Sequence, residues 1–301
     1  MKPVSRWSLP VFLAALILVA GPTFAGAEPI EPNDAEQAKH VVDVRVPDEG
    51  VMQRLTLTDG SQIFGRVESF DGDVLVFRSL SGVELKAART EIADLRIVSG
   101  RVVAGEFQPT DSHNTRLLFA PTARSLKKGE GYFGVYEITL PFVQVGVTDR
   151  LSIGGGTPLF FGGGSEHPFW FTPKFQVLAT DKAQAAVGII HVTGFDHNAG
   201  IAYGVTTLGT PEQALTVGLG YAYSDGQRER APIVMIGGEY RASRRIKLVS
   251  ENWLWRGSTG FVSGGIRFLG ERVSADLGFI VPLVDAEEAI AFPLVSFAWH
   301  F

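Results

Sequence analysis

Apolar side chains recur at every second position along much of the second half of this chain, in short runs separated by polar turns. The last run, Phe292 to Phe301, shows the pattern most clearly. Val295, Phe297, Trp299 and Phe301 share one face, and Leu294, Ser296, Ala298 and His300 share the other. A period of two predicts a β-strand with one apolar side. Nothing downstream can cover this strand, so it is expected to pair with an earlier one, such as the first strand of a closed barrel.

Polar turns at Thr148-Asp149-Arg150, Thr180-Asp181-Lys182, Thr210 to Gln213, Ser243-Arg244-Arg245 and Gly270-Glu271-Arg272 alternate with a second series. That second series is Gly162 to His167, Asp196 to Asn198, Asp225 to Arg230, Gly257-Ser258 and Asp285 to Glu288. Five up-and-down hairpins follow Leu151. A further hairpin from Gly131 to Thr139 and Phe142 to Thr148 brings the expected total to about twelve strands, within a range of ten to fourteen. Residues 131–301 thus read as one antiparallel barrel, with 100–130 as a connector or plug.

Facing can be read strand by strand. Leu215, Val217, Leu219, Tyr221 and Tyr223 oppose Thr216, Gly218, Gly220 and Ala222. Phe169, Phe171, Phe175 and Val177 oppose Trp170, Thr172, Lys174 and Gln176. Glu239 and Arg241 oppose Ile236 and Tyr240, Arg267 opposes Ile266 and Phe268, and Asp276 opposes Leu277 and Phe279. The run Ile246 to Trp255 does not alternate cleanly, and Glu251 is placed inward by its charge. Charges on the face opposite the apolar one would cost several kcal/mol each if buried unpaired in a dry core, and far less in a polar lumen. This predicts a transmembrane barrel, apolar outside, with Lys174, Glu239, Arg241, Glu251, Arg267 and Asp276 as its lumen-lining set. They either select solutes in a narrow pore or cross-pair to fill the barrel.

Upstream, Val51 to Val98 alternates in about five short runs split by Asp59-Gly60, Asp71-Gly72-Asp73 and Ser81-Gly82. The second run, Gln62 to Ser69, is expected to be long and bent at Gly65. Residues 50–99 therefore read as a small β-barrel, preceded by an acidic flexible stretch at 28–49. At the N-terminus, Lys2 and Arg6 precede the apolar run Val11 to Ala20, and Ala25-Gly26-Ala27 offers a small-x-small cleavage site. Residues 1–27 are expected to be a signal peptide, since so short an apolar run cannot cross a bilayer.

Composition agrees with this picture. With 301 residues, no cysteine, 35 glycines and 21 phenylalanines, the chain has neither disulfides nor thiolate sites. A net charge of -5 without a polybasic run gives no reason to expect a nucleic-acid partner. Mean hydropathy is +0.14, and no apolar run is long enough for a spanning helix.

Three resemblances follow from these residues. The terminal Phe301, with Trp299 and Phe297 upstream, resembles the C-terminal signal strand of bacterial outer-membrane β-barrels. That implies outer-membrane lipid and the barrel-assembly machinery as partners. The 50–99 pattern is similar to SH3-like and Sm-like small barrels, which implies a periplasmic module that docks a partner or acts as a spacer. The stretch NTRLLFAPTARSLKKGEGYFGVYE, with GVTDRLSIGGG after it, resembles a group of bacterial outer-membrane proteins of unassigned activity, and implies only compartment and fold.

No catalytic, metal or cofactor site is expected. Ser165-Glu166-His167 supplies hydrolase residue types in a Gly-rich turn with nothing to hold them. His191 and His300 stand alone on strands, and His113 and His197 fall in loops. The glycine triplets at 154–156 and 162–164 precede no helix that could make a phosphate site. The functions left open are a narrow channel for small hydrophilic solutes, a docking protein anchored by its barrel, and, least favoured, a hydrolase.

Overall fold

The computed structural model describes residues 52–103, 106–159, 167–194, 197–225, 227–255, 259–283 and 290–301. The expected signal peptide with Ala25 and Ala27, the 28–49 stretch, Ser165-Glu166, Gly257-Ser258 and Asp285 to Glu288 lie outside the described residues. The chain divides into two compact units, one ending at Thr110 and one running from Asp111 to Phe301.

The first unit is a five-stranded antiparallel sheet of β1 (Gln53–Leu57), β2 (Gln62–Phe70), β3 (Val74–Ser79), β4 (Glu84–Ala88) and β5 (Ile92–Ile97), in the order β4-β3-β2-β1-β5. No β4–β5 pairing is present among the described residues, so the sheet does not close as the expected small barrel would. The turn residues act as read. Gly60, Gly72 and Gly82 all have positive φ, and Asp71 Oδ1 accepts the N–H groups of Asp73 and Val74 at 3.0 and 2.8 Å. β2 carries a bulge between Val67 and Ser69, and at Gly65 a Cβ would come within 2.0 Å of the Arg78 carbonyl oxygen. Leu55, Val67, Leu75, Phe77, Ala87 and Ile92 form the core. The polar connector expected after Ser99 instead starts as a hairpin, β6 (Gly100–Val103) and β7 (Glu106–Pro109), whose Phe107 stacks on Phe64 at 4.3 Å.

The second unit is a closed antiparallel barrel. Its segments are β8 (Gly131–Tyr136), β9 (Leu140–Gly146), β10 (Leu151–Gly156), β11 (Phe169–Phe171), β12 (Lys174–Ala179), β13 (Ala183–Gly194), β14 (His197–Thr210), β15 (Gln213–Ser224), β16 (Gln227–Ser243), β17 (Ile246–Trp255), β18 (Thr259–Leu269), β19 (Val273–Pro282) and β20 (Phe292–His300). Both β11 and β12 pair with β10 on one side and β13 on the other, so they are halves of one strand. Pro173 sits at the break, where it can donate no ladder bond. The thirteen segments therefore make twelve strands, in uninterrupted up-and-down order.

Closure is between the last strand and the first. β20 pairs with β8 from Ser296↔Tyr136 to His300↔Tyr132, and Phe301 and Gly131 exchange both backbone bonds at 2.9 and 3.1 Å. The C-terminal strand does what its pattern demanded. The polar turns of the first series fall at strand junctions as read, whereas β14 begins at His197 and β16 at Gln227, inside the turns expected at Asp196 to Asn198 and Asp225 to Arg230.

The outer surface carries the apolar set. Phe175, Val177, Leu215, Leu219, Phe268, Leu277, Phe279, Val295, Phe297, Trp299 and Phe301 are all exposed, while Lys174, Gln176, Thr216, Arg267, Asp276, Ser296 and Ala298 are buried. β17 also alternates cleanly, with Lys247, Val249, Glu251 and Trp253 inward. Its mixed outer set, Leu248, Ser250, Asn252 and Leu254, is what obscured the period in the sequence.

Candidate functional site

Residues 111–126 lie inside the barrel and fill one half of it. The small inner side chains that balance the large outer ones make the room. A Cβ on Gly237 would come within 2.4 Å of Leu117 Cδ1, and one on Gly146 within 2.0 Å of the Lys127 carbonyl oxygen. Within the segment, Arg116 bridges to Pro121, Leu117 N–H donates to Ala120 O at 2.8 Å, and Thr122 N–H donates to Thr115 O at 3.0 Å. This tight hairpin drives Leu117, Leu118, Ala120 and Ala123 against Ile201, Val205, Met235, Val249, Ile280 and Leu294 of the inner wall. The stretch 100–130, expected as a connector or plug, is thus an interior plug from Asp111 onward.

The inward charges of the strands hold this plug. Arg267 is fully buried; its Nε donates to Asp276 Oδ1 at 2.7 Å and its Nη2 to Asp276 Oδ2 at 3.1 Å. Its Nη1 reaches Asp111 Oδ2 at 3.3 Å and the His113 carbonyl at 3.1 Å. Lys247 Nζ joins Asp111, at 2.7 Å, to Glu239, which also pairs with Arg124. Arg116 Nη1 pairs with Asp276 at 3.2 Å. Glu251 takes no cation. Its Oε2 accepts the N–H groups of Phe119 and Ala120, both at 2.8 Å, and its Oε1 accepts the Trp253 indole at 2.7 Å. Lys174 is held by neutral groups too, donating to the carbonyls of Thr115 and Thr122 at 2.9 Å each.

Five of the six residues expected to line the lumen are therefore brought together, through the plug rather than around open water. Arg241 is apart from them, near the β16–β17 turn and paired with Glu212. The sequence reading missed Asp111, His113, Arg116, Arg124 and Lys247. Lys247 had a signal, since it precedes Glu251 by four residues on one strand face. The plug residues had none, because nothing local tells a charged connector from one threaded into a barrel.

His191, read as standing alone, and His113, read as lying in a loop, both have partners. His191 Nδ1 meets Tyr223 Oη at 2.8 Å. His113 Nδ1 lies 2.5 Å from Ser274 Oγ, a nucleophile-and-base pair by residue type. Both side chains are buried in the plugged half.

The other half of the barrel, toward the end opposite Gly131 and Phe301, holds a cavity of about 170 Å³. Aromatic and aliphatic side chains wall it, including Phe142, Trp170, Ile190, Tyr203, Trp253 and Phe261. The plug forms its floor through Thr115, Arg116, Phe119 and Pro121, beside Lys174. Arg116 stacks there on Tyr136 and Phe142, at 5.0 and 5.4 Å from the ring centres. The interior is thus divided into an ionic half around the plug and an aromatic half beyond it.

No family model matches the sequence, and no curated protein matches it. Solved structures similar to the chain include the KdgM porin in complex with disordered oligogalacturonate, with TM-score 0.44 and 6% identity, covering 57% of this chain and 98% of that one. The NanC porin follows with TM-score 0.39 and 8% identity, covering 57% and 97%. OmpT with its loop L8 deleted, an outer membrane protein of Vibrio cholerae, has TM-score 0.34 and 11% identity, covering 83% and 96%. None of these values transfers a ligand or a residue role to this chain.

Proposed function

We propose that this protein is an outer-membrane β-barrel that is shut as folded, a channel for small solutes that conducts only when its own plug shifts. Apolar side chains cover the outside of the barrel, which suits lipid, and the charged and polar ones alternate with them toward the interior. The observation that carries the closed state is the plug itself. Arg267, Lys247, Glu239 and Asp276 are spent on Asp111, Arg116 and Arg124, so the groups that would select ions or hydrophilic solutes in an open pore are engaged. Refolded full chain in planar bilayers is expected to insert without steady current, and Arg267→Met to give ion-conducting steps. Steady wild-type conductance would overturn the closed reading, and recovery of the mature chain only from periplasmic extract would overturn the membrane assignment.

The first unit supports a second reading, in which the barrel anchors a periplasmic docking module. In this reading the module is the five-stranded sheet, whose 3-10 turn at Arg89–Glu91 leads into the edge strand β5. Capture of a periplasmic partner by residues 50–110 in the full chain, lost on deletion of that unit, is the expected result.

A further inference from the structure

The charges buried in the barrel unit do not balance. Among the described residues, Arg116, Arg124, Lys174, Lys247 and Arg267 face only Asp111, Glu239, Glu251 and Asp276, leaving one positive charge in excess. Four of these cations share Asp111, Glu239 and Asp276, while Lys174 has no described carboxylate partner and donates to the carbonyls of Thr115 and Thr122. An ammonium has three N–H donors, so one remains. A second donor is unmatched, since Arg116 Nε is buried without a hydrogen-bond partner. Both side chains line the floor of the aromatic cavity. A buried cation short of a counter-charge is costly unless something anionic joins it.

We infer that this cavity is a binding site for a small amphiphilic anion, an apolar ring or short chain with one carboxylate, its head on Lys174 and Arg116 and its body among Trp170, Tyr203, Trp253 and Phe261. The volume sets the size. An apolar protein cavity of about 150 Å³ takes a benzene ring, and this one is about 170 Å³, which suits a single ring. The walls exclude sugars and other polyhydroxylated solutes, whose hydroxyls would find few partners there. Phe and Trp side chains complement an aromatic face, and Arg116, already stacked on two rings, has one N–H left for a carboxylate. The site rests on the barrel described above but not on conduction, because a barrel that never opens could still bind.

Benzoate is the probe, titrated into the refolded full-length protein in detergent and followed by tryptophan fluorescence, since Trp170 and Trp253 line the cavity. Benzyl alcohol, of like shape and neutral, is the comparison. Saturable binding of benzoate at least about tenfold tighter than the alcohol is expected, a ratio that corresponds to roughly 1.4 kcal/mol. Lys174→Met should erase the preference and Lys174→Arg keep it, while Val192→Phe, which fills the cavity, should weaken both probes. Equal binding of the two probes by the wild-type protein would overturn the anionic assignment. Absence of saturable binding, in a barrel shown folded by its heat-modifiable migration, would overturn the site. Bilayer conductance is scored separately, so a silent barrel that binds benzoate retains this inference and loses only the channel reading.

Discussion

Arg267→Met is the sharpest perturbation of the plugged barrel. The substitution keeps much of the side-chain length but removes a guanidinium that bonds Asp276 through two nitrogens, reaches Asp111, and donates to the carbonyls of His113, Arg116 and Leu117. Asp276 would retain Arg116 and the Ser296 hydroxyl, and Asp111 would retain Lys247. Removing one partner of a buried pair costs about 3–5 kcal/mol, most of it from the charge left behind. Because the three bonded carbonyls all belong to residues 113–117, the loss falls on docking of the plug. The assay is hydrogen exchange at Phe119, Ala120 and Ala123, whose amides donate into the barrel wall at Glu251 and Thr207. If exchange proceeds by local undocking, a loss of that size speeds it by about a hundred-fold to several thousand-fold. Unchanged exchange at these amides in a folded Arg267→Met barrel would refute the view that the ion network holds the plug.

Other perturbations probe different parts of the same structure. Glu251→Gln turns an acceptor of three N–H groups into one that offers an amide NH₂ to donors, and should destabilise plug docking by about 1–3 kcal/mol, read from Trp253 emission during denaturant unfolding. Gly146→Val places a Cβ within 2.0 Å of the Lys127 carbonyl oxygen and should expose the plug's exit, seen as protease cleavage near Lys127 and Lys128 that the wild type resists. Deleting Phe301 removes both backbone bonds to Gly131 at the seam and should lower the temperature of the heat-modifiable shift without changing strand content by circular dichroism. Leu55→Ala, in the core of the first unit, should cost about 2–5 kcal/mol there and leave barrel migration unchanged.

The barrel was legible because alternation is a local signal that repeats. One residue in two faces lipid or interior, so each of Phe175, Leu219 and Leu277 reports its neighbours' orientation, and polar turns set the strand count. Two features were legible only as one of two alternatives, for the opposite reason. The plug is charged, short and without a period, and its partners lie far along the chain, Arg116 being 160 residues from Asp276. The inward charges of the strands were visible, but whether they faced water or a plug depended on a segment whose path no pattern records. The first unit shows an intermediate case. Its turns were read correctly from Asp-Gly pairs, while the bulge at Val67 and the hairpin after Ser99 depend on packing, here the stacking of Phe107 on Phe64.

Plug and seam belong to one assembly problem. The plug precedes β8 in the chain, and β8 pairs with the last strand, so the plug's wall is incomplete until the final residues arrive. Bonds that fix the plug come from β12, β14, β16, β17, β18 and β19, through Lys174, Thr207, Glu239, Lys247, Glu251, Arg267 and Asp276. Bringing such distant segments together costs loop-closure entropy that grows only slowly with length, and it is offset only when many contacts form at once. A plug docked on an open sheet would have only part of its ion network, with Arg116 short of Ser296 on the closing strand. A barrel closed without the plug would leave Glu239, Arg267 and Asp276 facing one another with fewer partners. Each arrangement is less satisfied than the two together, which makes the filled barrel the state in which closure and internal charge pairing support each other.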